Sequence, residues 1–290
     1  MSTTPDELDD TDYPKEAHEL FRPAKALTDF DLPELIEIEP IHTCNLRCIM
    51  CHVSYEKLTH AKIDVDLLTK RLKGLEGRWV NVGATHEPVA HPKFPELVLG
   101  LSALGMKINL TSNGTLFTPA LIDRVAHCNF ERVTISFDGI REETYESIRR
   151  NSNFSRAIER ILNFKHAVTN PSAYFAVNNT IMKRNADEIV DCVAFWEKQG
   201  FDGIRFILMV LRDLNESLRM ESPEHHLPHI YEQLESAARL VLEENYRITL
   251  SSPMFSRSSL REAYPKNLEF SASRYFAPMN SKHCYRIPEN

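Results

Sequence analysis

The sequence predicts an α/β protein built on a parallel sheet, and three features predict it. Six strand-like segments alternate with helix-like ones between residues 35 and 210, the rhythm of repeated βαβ units. The last of them, 203–210, is almost unbroken apolar sequence apart from Arg205, as a strand buried on both faces should be. Polar motifs directly follow the strand-like segments, and in parallel α/β folds chemistry gathers at the C-terminal strand ends. Rhythm alone leaves a doubly wound sheet and a barrel both open.

Residues 1–34 are acidic, contain proline and lack periodicity; they read as an N-terminal arm with one short helix near 15–20. The first strand, 35–41, runs into a cysteine-rich loop. Leu67, Leu68, Leu72 and Leu75 give 65–75 a helical stripe. A short strand at 79–82, a helix at 94–104 and a strand at 106–110 follow. The helix at 119–128 carries Pro119 at its start, where the missing N–H is harmless. Then come a strand at 132–137, helices at 142–149 and 154–169, an extended segment at 173–179, a helix at 186–199 and the strand at 203–210. The charged, proline-containing stretch 211–228 reads as a linker. Ile230, Leu234, Ala237, Leu240 and Val241 share one face of an amphipathic helix at 229–246, and 247–250 is a last strand or sheet edge. The expected plan is an arm (1–34), a core domain (35–212) and a C-terminal extension (213–290).

The chain has 290 residues, 42% of them hydrophobic, enough for a sizeable core. No apolar run approaches the roughly 18 residues of a membrane helix. A formal net charge of −7 argues against a nucleic-acid surface, which needs a basic face. The first residues carry neither a basic nor an apolar segment, and six cysteines then point to a reducing, cytoplasmic setting. Cys128 and Cys192 sit among apolar neighbours in helical patterns and read as small buried hydrophobes.

Cys44, Cys48 and Cys51 are different: three thiols spaced C-x3-C-x2-C within eight residues, just after a strand. A structural zinc site would use them with a histidine, but zinc ligands usually come as two separated pairs, and no second C-x2-C follows. Cys48-Ile49-Met50-Cys51-His52 also matches haem attachment, which needs export. A disulfide leaves an odd thiol. The favoured reading is an iron–sulfur cluster. Three thiolates on a four-iron cube leave one iron without a protein ligand, open to substrate or cofactor.

With the neighbouring wording Glu39-Pro40 and Cys44-Asn45-Leu46-Arg47-Cys48, this motif resembles the signature of the radical S-adenosylmethionine (radical SAM) enzymes. It is most similar to the branch that often carries a C-terminal SPASM or twitch extension. The resemblance covers residues 35–210 and implies a partial (β/α)6 TIM-like barrel, open on one side, with a short helical or twitch-like extension. It also implies a [4Fe-4S] cluster on Cys44, Cys48 and Cys51, with SAM chelated at the open iron. Reduction then yields a 5′-deoxyadenosyl radical that abstracts hydrogen from substrate.

The resemblance distributes further roles. Gly83-Ala84-Thr85-His86-Glu87-Pro88 follows the second strand where the family has Gly-Gly-Glu-Pro; Glu87 is the candidate for the SAM amino group, while Thr85 and His86 replace the glycines. Asn113, in Thr111-Ser112-Asn113-Gly114-Thr115, is the candidate at the rim of the cofactor site. Ser136-Phe137-Asp138-Gly139 matches a Ser-x-Asp-Gly segment, and strand alternation points Ser136 and Asp138 to the same side, toward the barrel mouth. Arg149 matches an arginine that pairs with the SAM carboxylate; Arg150 replaces a glycine. Met50 falls near the adenine, and Asn178 or Asn179 near the ribose. Lys282-His283-Cys284 resembles the opening of a SPASM or twitch segment, and Cys284 is a candidate hydrogen donor. The expected partners are a peptide or small-molecule (sugar- or nucleoside-type) substrate and a flavodoxin- or ferredoxin-type electron donor, with no nucleic acid and no membrane. A sensor, or an inactive iron–sulfur scaffold, is the competing class.

Overall fold

The computed structural model of the chain describes residues 32–210 and 216–252. Its frame is a seven-stranded, wholly parallel sheet. In chain order its strands are β1 (Leu35–Ile38), β3 (Trp79–Val82), β4 (Lys107–Ser112), β5 (Phe130–Ser136), β7 (Tyr174–Ile181), β8 (Gly203–Leu208) and β9 (Thr249–Ser251). Two-residue strands β2 (Arg47–Cys48) and β6 (Arg149–Arg150) form a separate antiparallel pair. Spatial order follows chain order with no reversal. A doubly wound sheet reverses at its switch point, so this is the order of a β/α barrel, with β1 and β9 as the edges of the described sheet.

Helices α1 (Val65–Arg71), α2 (Phe94–Ala103), α3 (Pro119–Val125), α4 (Glu142–Ile148), α5 (Phe154–Ala167), α6 (Ile189–Lys198) and α7 (Leu227–Glu243) connect the strands. Three of their starts are capped by side chains. Asp64 accepts from the N–H groups of Asp66 and Leu67, Thr118 from that of Leu121, and Asn153 from that of Arg156. Each satisfies a donor that a helix end leaves orphaned. One continuous core joins sheet and helices, with Trp196, Phe137 and Tyr145 fully buried in it.

Several boundaries differ from expectation, for visible reasons. Strand β1 ends at Ile38, because Glu39 and Pro40 begin the turn into the cysteine loop. Arg149 is not the last residue of a helix. Helix α4 stops at Ile148, and Arg149, at φ −96° and ψ 69°, opens strand β6 against Cys48. The described part of 211–228 is not a bare linker: short 3-10 helices at Glu216–Glu221 and Glu224–His226 precede α7. There Leu218 is buried with Ile49, Ile148, Met182 and Met209. From the segment expected as an extension, α7 packs on α6 and β9 pairs with β8, so Leu227–Glu243 and Thr249–Ser251 belong to the same core. Cys128 and Cys192 are buried. No helix among the described residues is long and apolar enough to cross a membrane.

Candidate functional site

The cysteine loop leaves β1 and returns across the C-terminal end of the sheet. Its carbonyls are tied down by side chains of the loop and of the residues just after it. Arg47 Nη1 donates to Cys44 O (2.7 Å) and Leu46 O (2.8 Å), Ser54 Oγ to Cys48 O (2.7 Å), and Tyr55 Oη to Ile49 O (2.6 Å). The loop is thereby held with Cys44, Cys48 and Cys51 lining one cavity of about 480 Å³. Donors face the sulfurs: Leu46 N lies 3.4 Å and Asn113 Nδ2 3.9 Å from Cys44 Sγ, and Arg149 Nη1 lies 3.9 Å from Cys48 Sγ. Burial raises the pKa of all three thiols, that of Cys48 to about 12; metal ligation removes such protons outright. Among the described residues no three His, Cys, Asp or Glu side chains are placed to hold a single metal ion. A four-iron cube makes a different demand, since each thiolate binds its own iron. Thiol-lined volume and N–H donors aimed at sulfur suit such a cluster.

The 83–88 loop forms the next wall. Gly83, at φ +77°, is the glycine this turn requires: a Cβ there would meet Pro88 Cγ at 2.6 Å and Thr111 O at 2.9 Å. The loop's amides converge on Glu39, whose carboxylate accepts from Ala84 N (2.5 Å), Thr85 N (2.7 Å) and His86 N (3.4 Å). His86 packs its ring 4.2 Å from that of His42, with Nδ1 3.7 Å from Glu39 Oε2. Burial and His42 push its pKa down, against the pull of Glu39. His86 is therefore a packed wall residue rather than loop surface.

Glu87 lines the cavity but is only 2% exposed. Its carboxylate accepts from Ser112 Oγ (2.8 Å), Asn113 N (2.7 Å) and Val89 N (3.1 Å), and its own N–H donates to Thr43 O (3.1 Å). Burial pushes its pKa up to about 7 against those three donors. Asn113 is equally engaged, reaching Asn45 Oδ1 at 3.0 Å while its own Oδ1 accepts from Thr115 N at 2.9 Å. Together they splice β4 to the cysteine loop.

Ser136 lines the cavity at the end of β5; Asp138 does not. Strand β5 stops at Ser136, alternation lapses, and Asp138 turns beneath the cavity wall, where it is 0% exposed. It accepts from Thr180 N at 2.7 Å, and its Oδ2 lies 2.7 Å from Arg149 Nη2. The expectation that Ser136 and Asp138 share the mouth is thus corrected: one is wall, the other anchors Arg149 from behind. Arg149 is buried, lines the cavity and keeps Nε without a hydrogen-bond partner. Asn179 turns away to Phe137 O (3.1 Å). Met50 reaches the cavity, which on that side continues as an apolar wall of Ile207, Leu208, Met209, Val210 and Leu218. Cys284 lies outside the described residues, as does the 15–20 helix.

Sequence reasoning missed Glu39 as an anchor and the β8 end as a wall. Glu39-Pro40 was the available signal for the first. The apolar run at 203–210 gave none for the second, because it reads simply as core.

This arrangement, a sequentially ordered parallel sheet with a three-cysteine cavity at its C-terminal edge, defines a class, and comparison supplies its name. The Radical SAM superfamily model matches residues 38–195, more than half of the chain. The chain belongs to the radical SAM superfamily, whose members are enzymes that use a [4Fe-4S] cluster and SAM. It is 22% identical over 260 residues to an AdoMet-dependent heme synthase of Methanosarcina barkeri, covering 87% of this chain and 71% of that protein. It is 26% identical over 174 residues to the mycofactocin maturase MftC of Mycobacterium tuberculosis, covering 59% of this chain and 43% of that one. The fold matches SuiB of Streptococcus suis bound to S-adenosylmethionine, with TM-score 0.63 and 16% identity over 83% of this chain and 54% of SuiB. It also matches anSMEcpe with bound AdoMet, with TM-score 0.58 and 18% identity over 74% of this chain and 63% of that one.

Proposed function

We propose that this chain binds a [4Fe-4S] cluster through Cys44, Cys48 and Cys51, chelates SAM at the open iron, and uses it to abstract hydrogen from a peptide. The observation that carries the reading is the convergence of three cysteines, Arg149, Glu87 and Ser136 on one cavity at the strand ends. Bound there, the cluster and SAM would supply a 5′-deoxyadenosyl radical when one electron arrives from a flavodoxin- or ferredoxin-type donor. The chain's own part is placement. The unpartnered Nε of Arg149 offers a donor to the SAM carboxylate, Ser136 a hydroxyl to its polar groups, and Met50 a polarisable contact for the adenine. Glu87 and Asn113 act mainly by fixing the loop, since protein groups already occupy their polar atoms.

A peptide is favoured as substrate for two reasons. The cavity opens beside a strongly exposed apolar residue, Val210 at 74% exposure, and continues along the apolar wall of β8, which suits an extended chain with apolar side chains. A SuiB structure of the same fold holds its precursor peptide SuiA. The test is made without oxygen, on protein reconstituted with iron and sulfide, reduced with dithionite and given SAM. 5′-Deoxyadenosine is expected from the wild type and none from a Cys44/Cys48/Cys51 triple-alanine variant. A protein that holds its cluster yet never cleaves SAM would instead be a sensor or scaffold.

A further inference from the structure

The Arg149–Asp138 pair lies where it can act on electron transfer as well as on SAM. Three observations bear on this. First, the backbone of Arg149 is locked to the cysteine loop: strand β6 pairs with β2 so that Arg149 stands opposite Cys48, and Ile49 N donates to Ile148 O at 2.9 Å. Second, the guanidinium forks, Nη1 lying 3.9 Å from Cys48 Sγ and Nη2 2.7 Å from Asp138 Oδ2. Third, the fork cannot swing away. Asp138 is itself held by Thr180 N at 2.7 Å, while Asn185 Nδ2 donates to Asp138 O at 3.0 Å. A fixed positive charge therefore sits beside one thiol, and a fixed negative charge sits behind it.

We propose that Arg149 and Asp138 are positioning residues that set the reduction potential of the cluster, Arg149 raising it and Asp138 restraining the rise. This rests on the cluster assignment made under the proposed function. The physical reason is the sign of the added charge. Reduction places one more electron on the cluster, a nearby guanidinium stabilises that state, and a nearby carboxylate opposes it. Charges act strongly in a poorly solvated interior, and donors to cluster sulfur and local net charge are the established means of tuning such potentials. Among the charged groups here, Asp138 is the nearest counterweight to Arg149, and Cys48, Tyr145 and Cys44 are the other titratable groups that act on the guanidinium.

The test is a potentiometric titration of reconstituted protein followed by electron paramagnetic resonance, with iron counted per chain and SAM left out. Omitting SAM removes any effect of Arg149 on cofactor binding. Asp138→Asn should shift the potential upward and Arg149→Gln downward. Arg149→Lys, which keeps the charge but cannot fork, should recover part of the loss. The double variant Asp138→Asn/Arg149→Gln, which strands no charge, should load iron and lie between the single variants. Potentials equal to wild type in Asp138→Asn and in Arg149→Gln, both fully loaded with iron, would overturn the proposal, as would a double variant lying outside the interval between them. A wild-type protein that takes up no iron would strike the cluster assignment instead.

Discussion

The cavity has two walls built on opposite principles. On the side of β2, β4 and β6, polar side chains are tied to one another and to the backbone: Glu39 gathers the 83–88 amides, Glu87 takes three donors, and Arg149 spans Cys48 and Asp138. On the side of β8, the wall is Ile207, Leu208, Met209 and Val210, apolar throughout and strongly exposed at Val210. Hydrogen bonds and buried charges fix geometry to fractions of an ångström, as a cofactor needs, whereas apolar contact is non-directional and tolerates change. The difference teaches which wall carries the shared chemistry and which is free to define the substrate.

The comparison breaks first at Arg149. Truncation to alanine strands a wholly buried Asp138 carboxylate, a loss of about 3–5 kcal/mol by the usual cost of breaking a buried pair. The double variant Asp138→Asn/Arg149→Ala should recover much of it. Urea unfolding of the iron-free protein checks both.

Glu87 should show the next largest effect, and one with a sign. Its folded pKa is raised from 4.5 to about 7. It therefore lends full stability below pH 4.5 and loses it as pH rises through about 7, because the unfolded chain ionises first. The loss corresponds to about 3 kcal/mol. In iron-free protein, Glu87→Gln should abolish that slope and gain on the wild type between these pH values. An unchanging difference would mean that the three donors keep Glu87 ionised throughout.

The apolar wall should respond least in stability. Val210→Ser removes an exposed side chain and should move unfolding by no more than about 0.5 kcal/mol, while altering which peptides couple SAM cleavage to product. An equal loss of uncoupled SAM cleavage would show that Val210 serves the cofactor instead.

Legibility followed the same division. The three cysteines could be read from spacing, because one loop must bring them to one body. Gly83 and Gly114 sit at positive φ, where added Cβ atoms would run into Pro88 and Ile161 respectively; turn chemistry of that kind is visible in sequence. The Asp138–Arg149 pair was not visible, since strand alternation predicts nothing once β5 has ended and Arg149 lies in a two-residue strand. Leu218 was hidden in a charged stretch that read as linker. The β8 wall was hidden by its own hydrophobicity, which is the same whether a residue faces core or cavity.

The most direct test of the central claim is the electron paramagnetic resonance spectrum of the dithionite-reduced, reconstituted protein with and without SAM. An iron that Cys44, Cys48 and Cys51 leave unligated should bind SAM and visibly change the spectrum of the reduced cluster. A loaded cluster whose spectrum is the same with SAM in excess would contradict an open iron at this site.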